Sequence, residues 1–317
     1  MLRVIAALIA GLLLCAQTPM LPGFPPGTFQ NRAAHNPAAG GGGYTGPLDV
    51  SGWSANVVAC GSLRACNAAV RGNAVVNVCD STGGTDVACA DLSTDATTGQ
   101  LVAATVGGGT CPGTLGTNCT VKKLYDQLAT NACGGGSCDW IQNTIANRPT
   151  LPNAVLGSFA VMRFTTSQEL KAAAGGMTLP LPITLSAVSR RTSGTSLTQM
   201  FGSTSGTPGL FWDASTVIRA FAGNLPQIGT GTENAWHNIS TAFNGASSIG
   251  YVDGVSSGTV DVGTSGMSVN SLNVGGVFAG APFEAVEVIM TSDAKTGTQQ
   301  ANLCTNQFSY WGTSVSC

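Results

Sequence analysis

AWHNISTAFNGASSIGYVDG, residues 235–254, holds two short β-prone runs, 235–243 and 248–254, joined by Asn244–Gly245. Asn-Gly suits the left-handed turns that close hairpins, so an antiparallel hairpin is predicted here. The Asp253–Gly254 pair at its far end is a second turn that launches another strand. Working outward, the same texture recurs at 159–164, 183–188, 198–201, 209–212, 217–221 and 285–290. Runs of about six residues bounded by Gly, Ser, Asn and Asp are the mark of an all-β sandwich or barrel. These are antiparallel strands of a meander or jelly roll, in an all-β fold with a loop-rich N-terminal part and one or two short helices, among them 63–70 with Gly72 as its stop. A strand at 74–78, a glycine turn at Gly83–Gly84 and a hairpin tip at 95–101 fill that N-terminal part.

Composition narrows the function. Only 9% of the 317 residues are charged and the net charge is −2, so no basic patch exists for nucleic acid. With 43 glycines the chain is turn-rich. The only histidines, His35 and His237, leave little for a metal site or a Ser-His-Asp triad, and no cofactor or metal is expected.

The N-terminus reads as an export signal: Arg3 precedes an apolar run from residue 4 to 16, too short to span a bilayer comfortably. Residues 1–16 are assigned to the signal, 17–46 to a Pro/Gly-rich flexible leader containing His35, and 47–317 to one sandwich domain. No later segment is long and apolar enough to cross a membrane. Of eleven cysteines, Cys15 lies in the signal and ten remain, an even number that reads as disulfides in an exported chain. Their close spacing predicts sequential bridges: Cys60–Cys66, Cys79–Cys89, Cys111–Cys119, Cys133–Cys138 and Cys304–Cys317. The expected location is secreted or periplasmic.

Residues 271–291 carry Glu284 and Glu287, and a close carboxylate pair is what glycosidase chemistry uses. On the strand predicted at 283–290, however, positions three apart face opposite sides, which separates the two.

Several stretches in order carry a resemblance. Trp236-His237 followed by Tyr251-Val252-Asp253-Gly254 resembles concanavalin A-like and laminin-G-like jelly rolls. CTVKKLYDQ (119–127), QNTIANRPTL (142–151), LNVGG (272–276) and VEVIMTS (286–292) are similar to stretches of the catalytic domain of the α-L-arabinofuranosidase B family. The resemblance runs over residues 46–311. It implies a retaining glycosidase in which a nucleophilic Glu and an acid/base Asp stand roughly 5 Å apart. The family's nucleophile lies in an Asp-x-Glu strand and its acid directly follows a Gly-Gly pair. Here GLFWDAS (209–215) puts Asp213 at the substrate-contacting Asp, but Ser215 stands where the Glu should be. Val277 stands after Gly275–Gly276, where the acid should be, and the family's vicinal cysteines have no counterpart at 190–201. Serine needs an activating base and valine cannot give a proton.

These readings lead to an exported carbohydrate-binding or surface-interaction protein, related to the arabinofuranosidases but without their catalytic pair. Its expected partner is a glycan, and the resemblance implies an arabinose-containing one. The alternatives are an active arabinofuranosidase with relocated carboxylates (Asp213 with Glu233 or Glu284) and a purely structural extracellular protein. Trp212 and Asp213 are the candidate sugar contacts, by ring stacking and hydroxyl recognition, with Gly276 beside them. Trp140 and Gln142 are placed at the rim. Trp236 and His237 are assigned to the core and Asp126 to capping backbone N–H groups. Asn118 and Asn238 head glycosylation sequons.

Overall fold

The computed structural model describes residues 43–101, 119–128, 138–152, 155–157, 159–172, 177–203, 208–213, 216–269, 272–275, 280–313 and 317. The signal and most of the leader, with His35, lie outside them, as do Cys111, Cys133, Asn118, Ser215, Gly276 and Val277.

Nineteen strands occupy the described residues. The N-terminal part supplies β1 (Val57–Ser62), β2 (Ala74–Asp80), β3 (Ala88–Ser93), β4 (Cys119–Leu124) and β5 (Trp140–Ile141). Next come β6 (Met162–Phe164), β7 (Glu169–Ala172), β8 (Met177–Leu179), β9 (Ile183–Arg191) and β10 (Thr198–Ser203). They are followed by β11 (Gly209–Asp213), β12 (Val217–Phe221), β13 (Gln227–Thr230), β14 (His237–Phe243) and β15 (Ser248–Val252). The last are β16 (Val255–Val260), β17 (Met267–Val269), β18 (Leu272–Gly275) and β19 (Phe283–Thr291), before a helix, α1 (Gly297–Trp311).

One sheet runs β1-β19-β9-β14-β15-β16, with β6 also on β19; the other runs β13-β12-β11-β10-β18-β7-β5-β4-β2-β3, and β8 pairs separately with β17. Every ladder is antiparallel. This is a jelly-roll β-sandwich, one of the arrangements the strand pattern leaves open and the one the family resemblance implies. The β14–β15 hairpin pairs Ile239 with Val252 and Ala242 with Ile249, and Gly245 takes φ +60° in its turn. Asp253 and Gly254 take φ +50° and +75°, the two left-handed residues of a tight hairpin turn into β16.

The core fills the space between the sheets. Ile183, Leu185 and Ala187 from β9 join one cluster with Leu210, Trp212, Ile218 and Ala220 from the facing sheet. Trp212 Nε1 bridges the layers to Ser189 Oγ at 3.4 Å. Two glycines let the layers close at one edge. A Cβ on Gly229 would fall 2.5 Å from Val252 Cγ2, and a Cβ on Gly250 would strike Ile228. Gly250→Ala is therefore expected to cost about 1–3 kcal/mol by overpacking. A urea-unfolding midpoint shift at unchanged m-value would show it.

Two local expectations differ from the structure. Residues 63–70 do not form a helix; only Ala68–Val70 makes a 3-10 turn, capped by Asn67 Oδ1 accepting from Ala69 and Val70. Leu63 and Ala65 are fully buried and Arg64 bridges to Gln100, so packing holds that segment extended. The second difference is α1, a 15-residue helix that the sequence reading left out. Thr296 and Gln299 form a reciprocal capping box at its start, and Gly312 at φ +62° ends it. The helix covers the outer face of the seven-stranded sheet through polar contacts. Gln307 Nε2 reaches Glu287 Oε1 at 2.9 Å, and Ser240 Oγ donates to Gln300 Oε1 at 2.6 Å.

Disulfides Cys60–Cys66, Cys79–Cys89 and Cys304–Cys317 are present as expected. Cys119 and Cys138 are also disulfide-bonded, and their expected partners Cys111 and Cys133 lie outside the described residues. No described helix is long and apolar enough to cross a membrane.

Candidate functional site

The segments flanking Ser215 and Val277 are tied together at one end of the sandwich. Thr198 Oγ1 donates to the Ala281 carbonyl at 3.2 Å, and Thr192 N–H to that of Pro282 at 3.1 Å. Gly231 N–H donates to the Thr216 carbonyl at 2.7 Å, and Asn234 N–H to that of Arg191 at 2.8 Å. Loops after β9, β11 and β13 and the entry to β19 thus meet there. Gly275, the first residue of the Gly-Gly pair, takes φ +82°, and a Cβ on it would fall 2.7 Å from the Gln168 carbonyl, so both conformation and space demand glycine.

Asp213, at the last position of β11, receives Arg219 Nε at 2.6 Å from the neighbouring strand β12. Its side chain stays 26% exposed, the only one of the described candidate sugar contacts open to solvent. Arg219 also donates from Nη1 to the Leu225 carbonyl at 2.9 Å, which fixes the pair's orientation. Arg191, in the same cluster of loops, is fully buried and held by the Ser193 and Ser196 carbonyls at 3.3 and 2.9 Å, with Nη1 unpartnered among the described residues. Burial pulls its pKa down, while the charges of Glu233 and Asp213 oppose that shift. Two carboxylates therefore act on one guanidinium at this end.

Trp212 does not do what the sequence reading assigns it. Its indole is fully buried between the sheets, edge-on to His237 with centroids 5.7 Å apart, and no face is left for a sugar ring. Strand alternation explains this: in GLFWD, Leu210 and Trp212 turn inward and Asp213 outward. Trp140 is corrected likewise, being fully buried in the core rather than at a rim, while Gln142 is buried with Nε2 donating to the Glu169 carbonyl at 3.4 Å. Trp236 is buried as expected. So is His237, whose Nε2 accepts the Thr232 N–H at 2.8 Å, placing the proton on Nδ1, 2.5 Å from Asp253 Oδ2. Asp126 caps the Cys60 N–H at 3.0 Å. Asn238 is buried and bonded to Thr313 Oγ1 at 3.1 Å, so its sequon is inaccessible to glycosylation.

Glu284 and Glu287 require a second correction. The register slips between Ala285 and Glu287, where two residues of β19 oppose one of β9. Glu284 lies opposite Arg190 and Glu287 opposite Val188, which are two apart on β9 and so share a face. The bulge thus brings both glutamates to the helix-covered side. Neither is free for acid–base work. Glu284, fully buried, receives Arg163 Nε at 2.7 Å and Arg190 Nε. Glu287, also fully buried, receives Arg64 Nε at 2.6 Å.

For metal ions, Cys79, Asp86 and Cys89 come within reach of one another. Both sulfurs are consumed in a disulfide and Asp86 accepts Arg148 Nη1 at 2.5 Å, so this donor set does not suit a cation.

No protein-family model and no curated protein matches the chain. Among solved structures it is similar to a GH54 α-L-arabinofuranosidase soaked with a cyclic sulfate inhibitor: 14% identity, TM-score 0.62, covering 86% of this chain and 66% of that one. It is also similar to an arabinofuranosidase complexed with arabinofuranosyl-α-1,2-xylobiose: 15% identity, TM-score 0.57, covering 83% and 65%. A variant GH54 enzyme soaked with 4-nitrophenyl α-L-arabinofuranoside gives 15% identity, TM-score 0.61, and 86% and 66% coverage. The chain thus spans about two thirds of the length of these enzymes, and it shares their β-sandwich fold.

Proposed function

We propose that this is an exported carbohydrate-binding protein built on an arabinofuranosidase-type sandwich, with Asp213 as its sugar contact and no ancestral catalysis. The observation that carries the reading is the fate of the candidate carboxylates. By the sequence resemblance, Ser215 and Val277 stand at the nucleophile and acid positions. Glu284 and Glu287, which could have replaced them, are sealed in arginine pairs. Asp213 remains, partly exposed and oriented by Arg219, a geometry suited to accepting hydrogen bonds from sugar hydroxyls. Export rests on residues 1–16 together with the disulfides. Arabinose-containing glycans are the first ligands to test, in keeping with the fold's neighbours.

A second reading, an active arabinofuranosidase using Asp213 and Glu233, is favoured by the action of both carboxylates on Arg191. Glycan-array binding combined with an aryl arabinofuranoside assay separates the two. The expected result is binding without turnover, weakened about tenfold by Asp213→Ala, equivalent to ~1.4 kcal/mol. Turnover that Asp213→Ala abolishes would establish the hydrolase instead, and neither binding nor turnover would leave a structural role.

A further inference from the structure

A cavity of about 520 Å³ opens where the two sheets end, lined by residues of β13, β15 and β16 and by Thr232, His237 and Asp253. Its size falls within the roughly 300–1,000 Å³ of small-molecule sites. Among the described residues β13 is the last strand of one sheet and β16 the last of the other. The close approaches of Gly229 to Val252 and of Gly250 to Ile228 hold β13 against β15 beside it. Asp213, Arg219 and Glu233 are not among the lining residues, so this cavity is separate from the Asp213 site.

No lysine, arginine or glutamate lines it, and each oxygen of its one carboxylate, Asp253, already holds a protein hydrogen-bond donor. Asp253 Oδ2 holds His237 Nδ1 at 2.5 Å, and Oδ1 accepts the Asn238 N–H at 2.8 Å. The imidazole is spent as well, since Nε2 accepts the Thr232 N–H. The groups left to bind are neutral: the side chains of Gln227, Thr230 and Thr232 have no protein partner among the described residues. Ser256 Oγ accepts the Gly258 N–H at 3.1 Å and keeps its own proton to donate. Against this stands an apolar flank of Ile228, Val252 and Val255, the last 71% exposed, one of two large hydrophobic side chains left open among the described residues. Hydroxyl and amide groups facing one apolar wall, with no free charge, match a ring that carries hydroxyls at its rim and C–H bonds on a face.

We propose that this edge cavity is a second binding site, selective for neutral saccharides. It goes beyond the Asp213 reading and does not depend on it. The test uses the full chain, with methyl β-D-xylopyranoside, methyl α-L-arabinofuranoside and methyl β-D-glucopyranoside as neutral probes and D-glucuronate as the charged control. Saturation-transfer NMR and calorimetric titration read binding. At least one neutral glycoside should bind and glucuronate at least tenfold more weakly. Thr232→Trp, which fills the cavity from an exposed position, should weaken that binding at least tenfold, and Thr230→Val should weaken it several-fold while leaving the cavity open. Asp213→Ala should leave unchanged the component of binding that Thr232→Trp removes. The proposal is overturned if no neutral glycoside binds, if glucuronate binds as well, or if Thr232→Trp is silent while Asp213→Ala removes the signal. Because different variants test the two sites, either reading can fail alone.

Discussion

Glu287→Ala is expected to lower the unfolding free energy by about 3–5 kcal/mol, the usual cost of breaking a buried ion pair from one side. Glu287 and Arg64 are both completely buried, joined by Nε–Oε2 at 2.6 Å and Nη2–Oε1 at 3.2 Å. The same carboxylate accepts from Ser62 Oγ at 3.1 Å, Gln307 Nε2 at 2.9 Å and Trp311 Nε1 at 3.3 Å. It therefore ties β1, β19 and α1 together, and truncating it strands a buried guanidinium without its counter-charge, takes the shorter of two acceptors from Gln307 Nε2 and leaves Trp311 Nε1 without its acceptor. Arg64 would keep Asn306 Oδ1 at 2.7 Å and the Tyr310 ring at 4.4 Å, neither of which supplies a negative charge. The loss should appear in urea unfolding as a lower midpoint. Arg64→Met with Glu287→Leu should recover most of it, because an apolar pair of similar volume removes both desolvation costs. A single-variant loss below about 1 kcal/mol would mean that water reaches the pair, as at an exposed bridge.

The strands were legible because their signals are local. Val217–Phe221 and His237–Phe243 form over the residues predicted, and Asp253–Gly254 makes its turn because both residues tolerate left-handed backbone. The helix α1 was hidden because much of its buried face is polar. Gln300 and Gln307 lie among Leu303, Cys304, Tyr310 and Trp311, so apolar periodicity fades although Thr296 and Gln299 spell its cap. The faces of Glu284 and Glu287 were misassigned for a different reason. A bulge adds one residue to the count, and simple alternation cannot foresee it. At the site, Trp212 and Asp213 are adjacent, so a strand had to turn one of them inward; their shared assignment ignored that constraint. Asp213 keeps its place as a proposal, whereas Ser215, Gly276 and Val277 lie outside the described residues.

The pH dependence of stability should carry a signature of Asp126. One carboxylate oxygen caps the Cys60 N–H at 3.0 Å, while Oδ2 is buried with no hydrogen-bond partner among the described residues. Burial pushes this carboxyl up to about 7, with the nearby Asp139 charge adding to the rise and the Cys60 and Leu128 backbone N–H groups opposing it. An unfolded aspartate titrates near ~3.9. Between about pH 4 and 7 the folded protein thus holds a proton that the unfolded chain has released. The group's contribution is fully present below that window and is lost as pH rises through it, by on the order of 4 kcal/mol for a difference of about three units. Asp126→Asn keeps an oxygen for the Cys60 N–H and cannot ionise, so its stability relative to wild type should improve from pH 4.5 to pH 8. Asp86 works in the opposite sense and elsewhere. The Arg148 hydrogen bonds hold it down to about 2, so its stabilisation is lost only as pH falls from about 4 toward 2. Urea unfolding at pH 4.5, 6 and 8 separates the two. Parallel pH curves for wild type and Asp126→Asn across that range would show that the buried oxygen is solvated and that Asp126 ionises as it does in the open chain.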